Sequence, residues 1–69
     1  GRRSGESDPL YDKAVDLVLR ERRATISFVQ RHLGVGYNRA ANLLEAMEEA
    51  RIVSKANSMG RREILVPEN

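Results

Sequence analysis

The stretch Gly36-Tyr37-Asn38-Arg39-Ala40-Ala41-Asn42-Leu43-Leu44-Glu45-Ala46-Met47-Glu48 constrains this chain more than any other. At ~100° per residue it has an apolar side, Ala40, Leu43, Leu44 and Met47, and a polar side, Asn38, Asn42, Glu45 and Glu49. Arg39 and Ala46 flank the polar stripe. Two Asn on that stripe serve solubility poorly, because Asn is a weak helix former and Glu or Lys would do better. Asn does pair bidentately with an adenine edge in a DNA major groove. The stretch therefore reads as a recognition helix, and the rest of the chain as its holder.

Flanking residues supply the scaffold. Ser27-Phe28-Val29-Gln30 fits a capping box, with Ser27 as the cap and Gln30 reaching back. It predicts a short helix through about Leu33, stopped by Gly34 in the left-handed conformation. Gly34-Val35-Gly36 is then a tight turn between two helices, a helix-turn-helix pattern that many helical hairpins share. Upstream, Asp8 can cap a first helix, with Pro9 at its first position. Leu10, Ala14, Leu17 and Val18 are its inner stripe, and it should end near residues 21–23. Ala24-Thr25-Ile26 leaves room for one brief strand. Downstream, the long helix ends near Ala50-Arg51. Ile52-Val53-Ser54 and residues 61–66 read as two strands around a turn-rich loop, with Arg62, Ile64 and Val66 alternating against Glu63 and Leu65. The expected fold is α+β: a winged helix-turn-helix of three helices, a small antiparallel sheet that includes 24–26, and a C-terminal β-hairpin wing. Residues 1–7 read as a linker or expression remnant, 8–67 as the domain and 68–69 as a tail.

At 69 residues the chain makes one small domain with too little material for a deep catalytic cleft. It has no Cys, so disulfides and Cys-based zinc sites are excluded. No apolar run approaches the ~20 residues that span a bilayer, and no signal-peptide pattern is present. A start of Gly1-Arg2-Arg3 without Met reads as a fragment. Net charge is only +2, but ten of the twelve basic residues are Arg, which favours bidentate contacts to phosphate and guanine. Acid gathers at Glu6, Asp8, Asp12, Asp16 and again at Glu45, Glu48, Glu49; base gathers at Arg20, Arg22, Arg23, Arg31, Arg39, Arg61 and Arg62. A folded chain can thus present a basic side and an acidic side, although any one cluster taken alone reads first as solvated surface.

On this scaffold Asn38, Arg39 and Asn42 lie at the end of the recognition helix that stands nearest the bases. Tyr37 can reach the DNA backbone with its hydroxyl or pack beside the turn. Ser27 and Arg31 can fix orientation through phosphates, and Arg61 and Arg62 can reach a minor groove or the backbone. Glu45 can accept from a cytosine amino group or pair with a neighbouring Arg. Catalysis has little support, with no Ser-His-acid arrangement and no Gly-rich phosphate loop. His32, the only His, has no ligand partner at metal-binding spacing. Neither an enzyme nor a cofactor is expected of this domain.

Asp8-Pro9-Leu10-Tyr11-Asp12-x-Ala14-Val15, Ser27-x-x-Gln30-Arg31, Gly36-Tyr37-Asn38-Arg39-Ala40-Ala41, Glu45-Ala46-Met47-Glu48, Ile52-Val53 and Arg62-Glu63-Ile64-Leu65 together closely resemble the C-terminal gamma domain of FtsK/SpoIIIE bacterial DNA translocases. The match runs over residues 8–66, and the Gln-Arg…Gly-Tyr-Asn-Arg-Ala-Ala block is highly specific to that family. The resemblance implies a winged helix that reads short, G-rich, polar chromosomal sequences in double-stranded DNA. It would thereby orient a translocase during chromosome segregation and cell division. It also implies an upstream ATPase motor, with ATP and magnesium belonging to that motor alone, and an N-terminal region at the inner membrane. The domain itself would be cytoplasmic and make no membrane contact. Several copies are expected to act together on one DNA site. The alternative function is docking on, and activation of, a Xer-type tyrosine recombinase, for which Glu45, Glu48 and Glu49 offer an acidic face. By position, Asn38 matches a base-contacting residue of the family, and Glu45 an acidic position on the reading face. Asn42 stands where several members carry a DNA-contacting Arg. Asn lacks Arg's two-donor fork for guanine, so the sequence read and the manner of contact stay open.

Overall fold

The computed structural model describes residues 9–66. The linker at 1–7, the Asp8 cap, Pro67 and the tail at 68–69 lie outside the described residues. The chain forms α1 (Tyr11–Glu21), α2 (Ile26–Leu33) and α3 (Tyr37–Glu49). Their shared core holds Ala14 and Val18 of α1, Ala24, Val29 of α2, and Ala40, Leu43, Leu44 and Met47 of α3, closed by Val53. Leu43, Leu44 and Met47 are among its largest fully buried side chains, so α3 is the central element. Ala46, read from its angular position as a flank of the polar stripe, is buried as well, which makes the apolar arc of α3 wider than expected.

α1 begins two residues later than the Asp8-Pro9 signal implied: Leu10 stands at the N-cap without a side-chain hydrogen bond, and Pro9 precedes it. Its end falls where expected. Arg22 adopts the left-handed conformation at φ 56°, and its N–H returns to the Val18 carbonyl. A non-glycine residue there costs about 1 kcal/mol. The Arg22 guanidinium offsets some of this by donating to the Val66 carbonyl at 2.9 Å, which ties the end of α1 to the C-terminal segment.

α2 starts earlier than the capping box predicted. Thr25, not Ser27, is the N-cap, and its hydroxyl accepts from the Phe28 N–H at 3.3 Å. Ile26 becomes the first helical residue and packs against the core, while Ser27 is exposed. The apolar side chain decides between two possible caps, because capping at Thr25 turns Ile26 inward. The same choice removes the expected strand at 24–26. Gly34 ends α2 as anticipated, at φ 67°, with its N–H on the Gln30 carbonyl at 2.8 Å.

The expected winged α+β fold is not formed. The described residues hold three helices and no strand or sheet. In place of the hairpin wing stands one isolated antiparallel bridge, Val53 with Ile64. Competing hydrogen-bond partners explain why the ladder stops there. The Leu65 N–H reaches the Ile52 carbonyl at 2.9 Å, but the Ile52 N–H goes back to the Met47 carbonyl to finish α3. On the other side the Ser54 N–H reaches the Glu63 carbonyl at 2.8 Å. The Glu63 N–H is taken by the Ser54 hydroxyl, and the Ser54 carbonyl accepts from the Arg62 guanidinium. Each flanking pair therefore makes one of its two ladder bonds. The burial alternation survives without the strand: Arg62, Ile64 and Val66 are half-buried, Glu63 and Leu65 exposed.

Candidate functional site

Because Ala40, Leu43, Leu44 and Met47 face the core, the helical period turns Asn38, Arg39, Asn42 and Glu45 outward, and all are exposed. The side chains of Asn38, Asn42 and Glu45 have no hydrogen-bond partner among the described residues. Each Asn therefore offers an amide with two donors and an acceptor to whatever meets this face. Gly36 caps α3 without a side chain, so among the described residues no N-cap side chain closes off the amides of its first turn. Beside them Tyr37 is 61% exposed, so its ring projects from the helix start instead of packing beside the turn. Ser27 and Arg31, exposed and one helical turn apart, share a face of α2.

Arg61 and Arg62, read together from the sequence, have opposite fates. The Arg62 side chain is 9% exposed. It donates to Glu48 Oε1 at 2.7 Å and to the Ser54 carbonyl at 3.1 Å, pinning the C-terminal segment to the last turns of α3. Arg61 is exposed, and its side chain has no partner among the described residues. Arg62→Ala should lower the free energy of unfolding by about 1–2 kcal/mol, a charge-assisted hydrogen bond discounted for the partial exposure of Glu48. Urea titration of the variant checks this, and an unchanged midpoint would mean the contact contributes nothing.

The two charge signs collect in separate hollows. Arg22, Arg23, Thr25, Arg61 and Arg62 line a cleft of about 370 Å³. Glu45, Glu48 and Glu49 line another, which borders Arg62. Of the acidic residues considered for docking, Glu48 is thus engaged internally. His32 lies against its own helix, Nδ1 being 3.1 Å from the Phe28 carbonyl and the two rings 4.3 Å apart. No group of three or more His, Cys, Asp or Glu among the described residues could hold a metal, and no described helix is long and apolar enough to cross a membrane. Sequence reasoning overlooked Met59, which is 75% exposed on the turn before Arg61. Its only signal was position, between Asn57 and Gly60 in a turn-forming run.

A family model described as the Ftsk gamma domain matches residues 5–67. The chain belongs to the FtsK gamma domain family. It is 66% identical over 64 residues to a protein named DNA translocase FtsK 2 of Ralstonia nicotianae, a match covering 93% of this chain and 8% of that protein. Against DNA translocase FtsK of Pseudomonas syringae pv. syringae it is 57% identical over 67 residues, 97% of this chain and 8% of the relative. Against the protein of that name from Brucella melitensis it is 56% identical over 62 residues, 90% and 8%. The gamma domain is a small, non-catalytic domain, and this chain spans about 8% of the length of these relatives.

Proposed function

We propose that this gamma domain is a sequence-specific double-stranded DNA-binding module. It reads short, G-rich, polar chromosomal sequences and so orients, in the cytoplasm, the translocase to which it belongs during chromosome segregation and cell division. The observation that carries this reading is the outward face of α3, where Asn38, Arg39, Asn42 and Glu45 stand on the helix whose other side supplies half of the buried core. Relatives named DNA translocases add weight.

In this reading α3 enters the major groove with its N-terminal half foremost. Arg39 supplies donors for guanine O6 and N7, Asn38 and Asn42 supply the mixed donor and acceptor that an adenine edge needs, and Glu45 accepts from a cytosine amino group. Tyr37, Ser27, Arg31 and Arg61 fix register on the phosphates and sugars, which carry no sequence information themselves. Arg62 acts indirectly, by holding the segment that carries Arg61. One helix and one loop bury little surface, so copies on adjacent DNA raise the total affinity through effective concentration. The acidic hollow at the far end of α3 favours a second reading, in which the carboxylates that line it, Glu45, Glu48 and Glu49, face a basic partner such as a Xer-type recombinase.

Selection of duplexes from a random pool, followed by salt titration of the winner and its scramble, tests the reading. The expected winner is G-rich and binds more tightly than its scramble at equal salt. Arg61→Ala should flatten the salt slope by about one unit. A pool that yields no preferred sequence would overturn sequence reading.

A further inference from the structure

The turn before Arg61 is locked by a single residue, Asn57. Asn57 Oδ1 accepts from the Met59 N–H at 2.8 Å and from the Arg61 N–H at 3.0 Å. The Asn57 N–H donates to the Arg61 carbonyl at 2.8 Å, and the Gly60 N–H donates to the Asn57 carbonyl at 2.9 Å. Gly60 completes the turn at φ 79°, a region that disfavours any side chain. All four bonds use backbone groups or Asn57, so nothing in the turn's construction requires a methionine at position 59. Yet Met59 is 75% exposed, more than the other large exposed apolar residues, Tyr37 and Leu65. A flexible, polarizable thioether on a rigid support adapts well to an irregular apolar surface. The rigidity lowers the ordering cost of meeting one.

We propose that Met59 is an apolar contact to the deoxyribose wall of the DNA, seated beside the phosphate that Arg61 neutralises. This rests on the DNA-binding reading above. A DNA strand alternates anionic phosphates with sugar faces made largely of C–H groups. An exposed thioether two residues from an exposed guanidinium, both on one locked turn, matches that alternation. Met59 offers no strong donor or acceptor to a base edge, so its contribution is independent of sequence. It neutralises no phosphate, so it is also independent of salt. Tyr37 and Ser27 are also uncharged, but they meet the backbone through hydroxyls, whereas Met59 meets it through apolar surface alone.

Fluorescence anisotropy with the selected duplex and its scramble, across a range of salt concentrations, tests the assignment. Met59→Ala should bind both duplexes roughly three- to tenfold more weakly, the loss expected for uncovering part of one apolar side chain. Its salt slope should equal that of the unaltered protein, and Met59→Leu should stay within about twofold of it, because the swap conserves apolar volume. The unfolding midpoint of Met59→Ala should not move, since the side chain is already in solvent. Unchanged affinity for both duplexes would overturn the contact while leaving the DNA reading intact, as would a loss confined to the selected duplex. A flattened salt slope would overturn it too. If the unaltered protein binds neither duplex, the DNA reading and this contact fall together.

Discussion

Leu43→Ala should lower the free energy of unfolding by about 2–5 kcal/mol, the range for emptying a leucine site in a packed core. Leu43 is fully buried between the helices, alongside Leu44 and Met47. At 69 residues the whole domain is worth roughly 3–10 kcal/mol on the usual per-residue scale, so this one substitution removes a large part of it. Far-UV circular dichroism during urea titration reads the effect. The neighbouring Asn42→Ala makes the contrast. Asn42 is exposed, and alanine is the better helix former by about half a kcal/mol, so that variant should be as stable as the parent or slightly more so. Equal losses at both positions would mean that α3 is not rotated as described.

Asn38→Ala should weaken binding to the selected duplex by about 1–3 kcal/mol, the discrimination carried by one good bidentate pair. Binding to a scrambled duplex should change little, because that binding is dominated by counterion release from phosphates and Asn38 carries no charge. The asymmetry follows from where the residue stands. It occupies the first turn of α3, with its amide uncommitted among the described residues. Removing it leaves a base edge unpaired in a dehydrated groove, which costs more than the lost bond alone. Since Asn38 is exposed and outside the core, the loss cannot be credited to unfolding.

The helical part of the fold was legible in the chain. Ala40, Leu43, Leu44 and Met47 recur at the period of a helix, and Gly34 marks the stop before it, so the orientation of α3 and its exposed Asn residues could be read without coordinates. The start of α2 could not. Ser27 and Thr25 are both competent caps, and the choice was made by burial of Ile26, a tertiary effect that no local pattern encodes. The hairpin failed for a related reason. Alternation from Arg62 to Val66 correctly marked an inner and an outer side. It could not reveal that the Met47 carbonyl, the Ser54 hydroxyl and the Arg62 guanidinium would claim groups that a ladder needs. That alternation did hold an unused clue: the side shared by Ile64 and Val66 is also the side of Arg62, which separates it from Arg61. Met59 left no periodic trace, because an isolated residue in a turn belongs to no repeating pattern.

The most direct measurement is the ratio of affinities for the selected and the scrambled duplex, taken at one salt concentration for the unaltered protein and for Asn38→Ala. If the outward face of α3 reads bases, the ratio should fall about 5- to 150-fold in the variant, the equivalent of 1–3 kcal/mol, while affinity for the scramble holds. A ratio that survives the substitution, or a loss of equal size on both duplexes, would contradict the account.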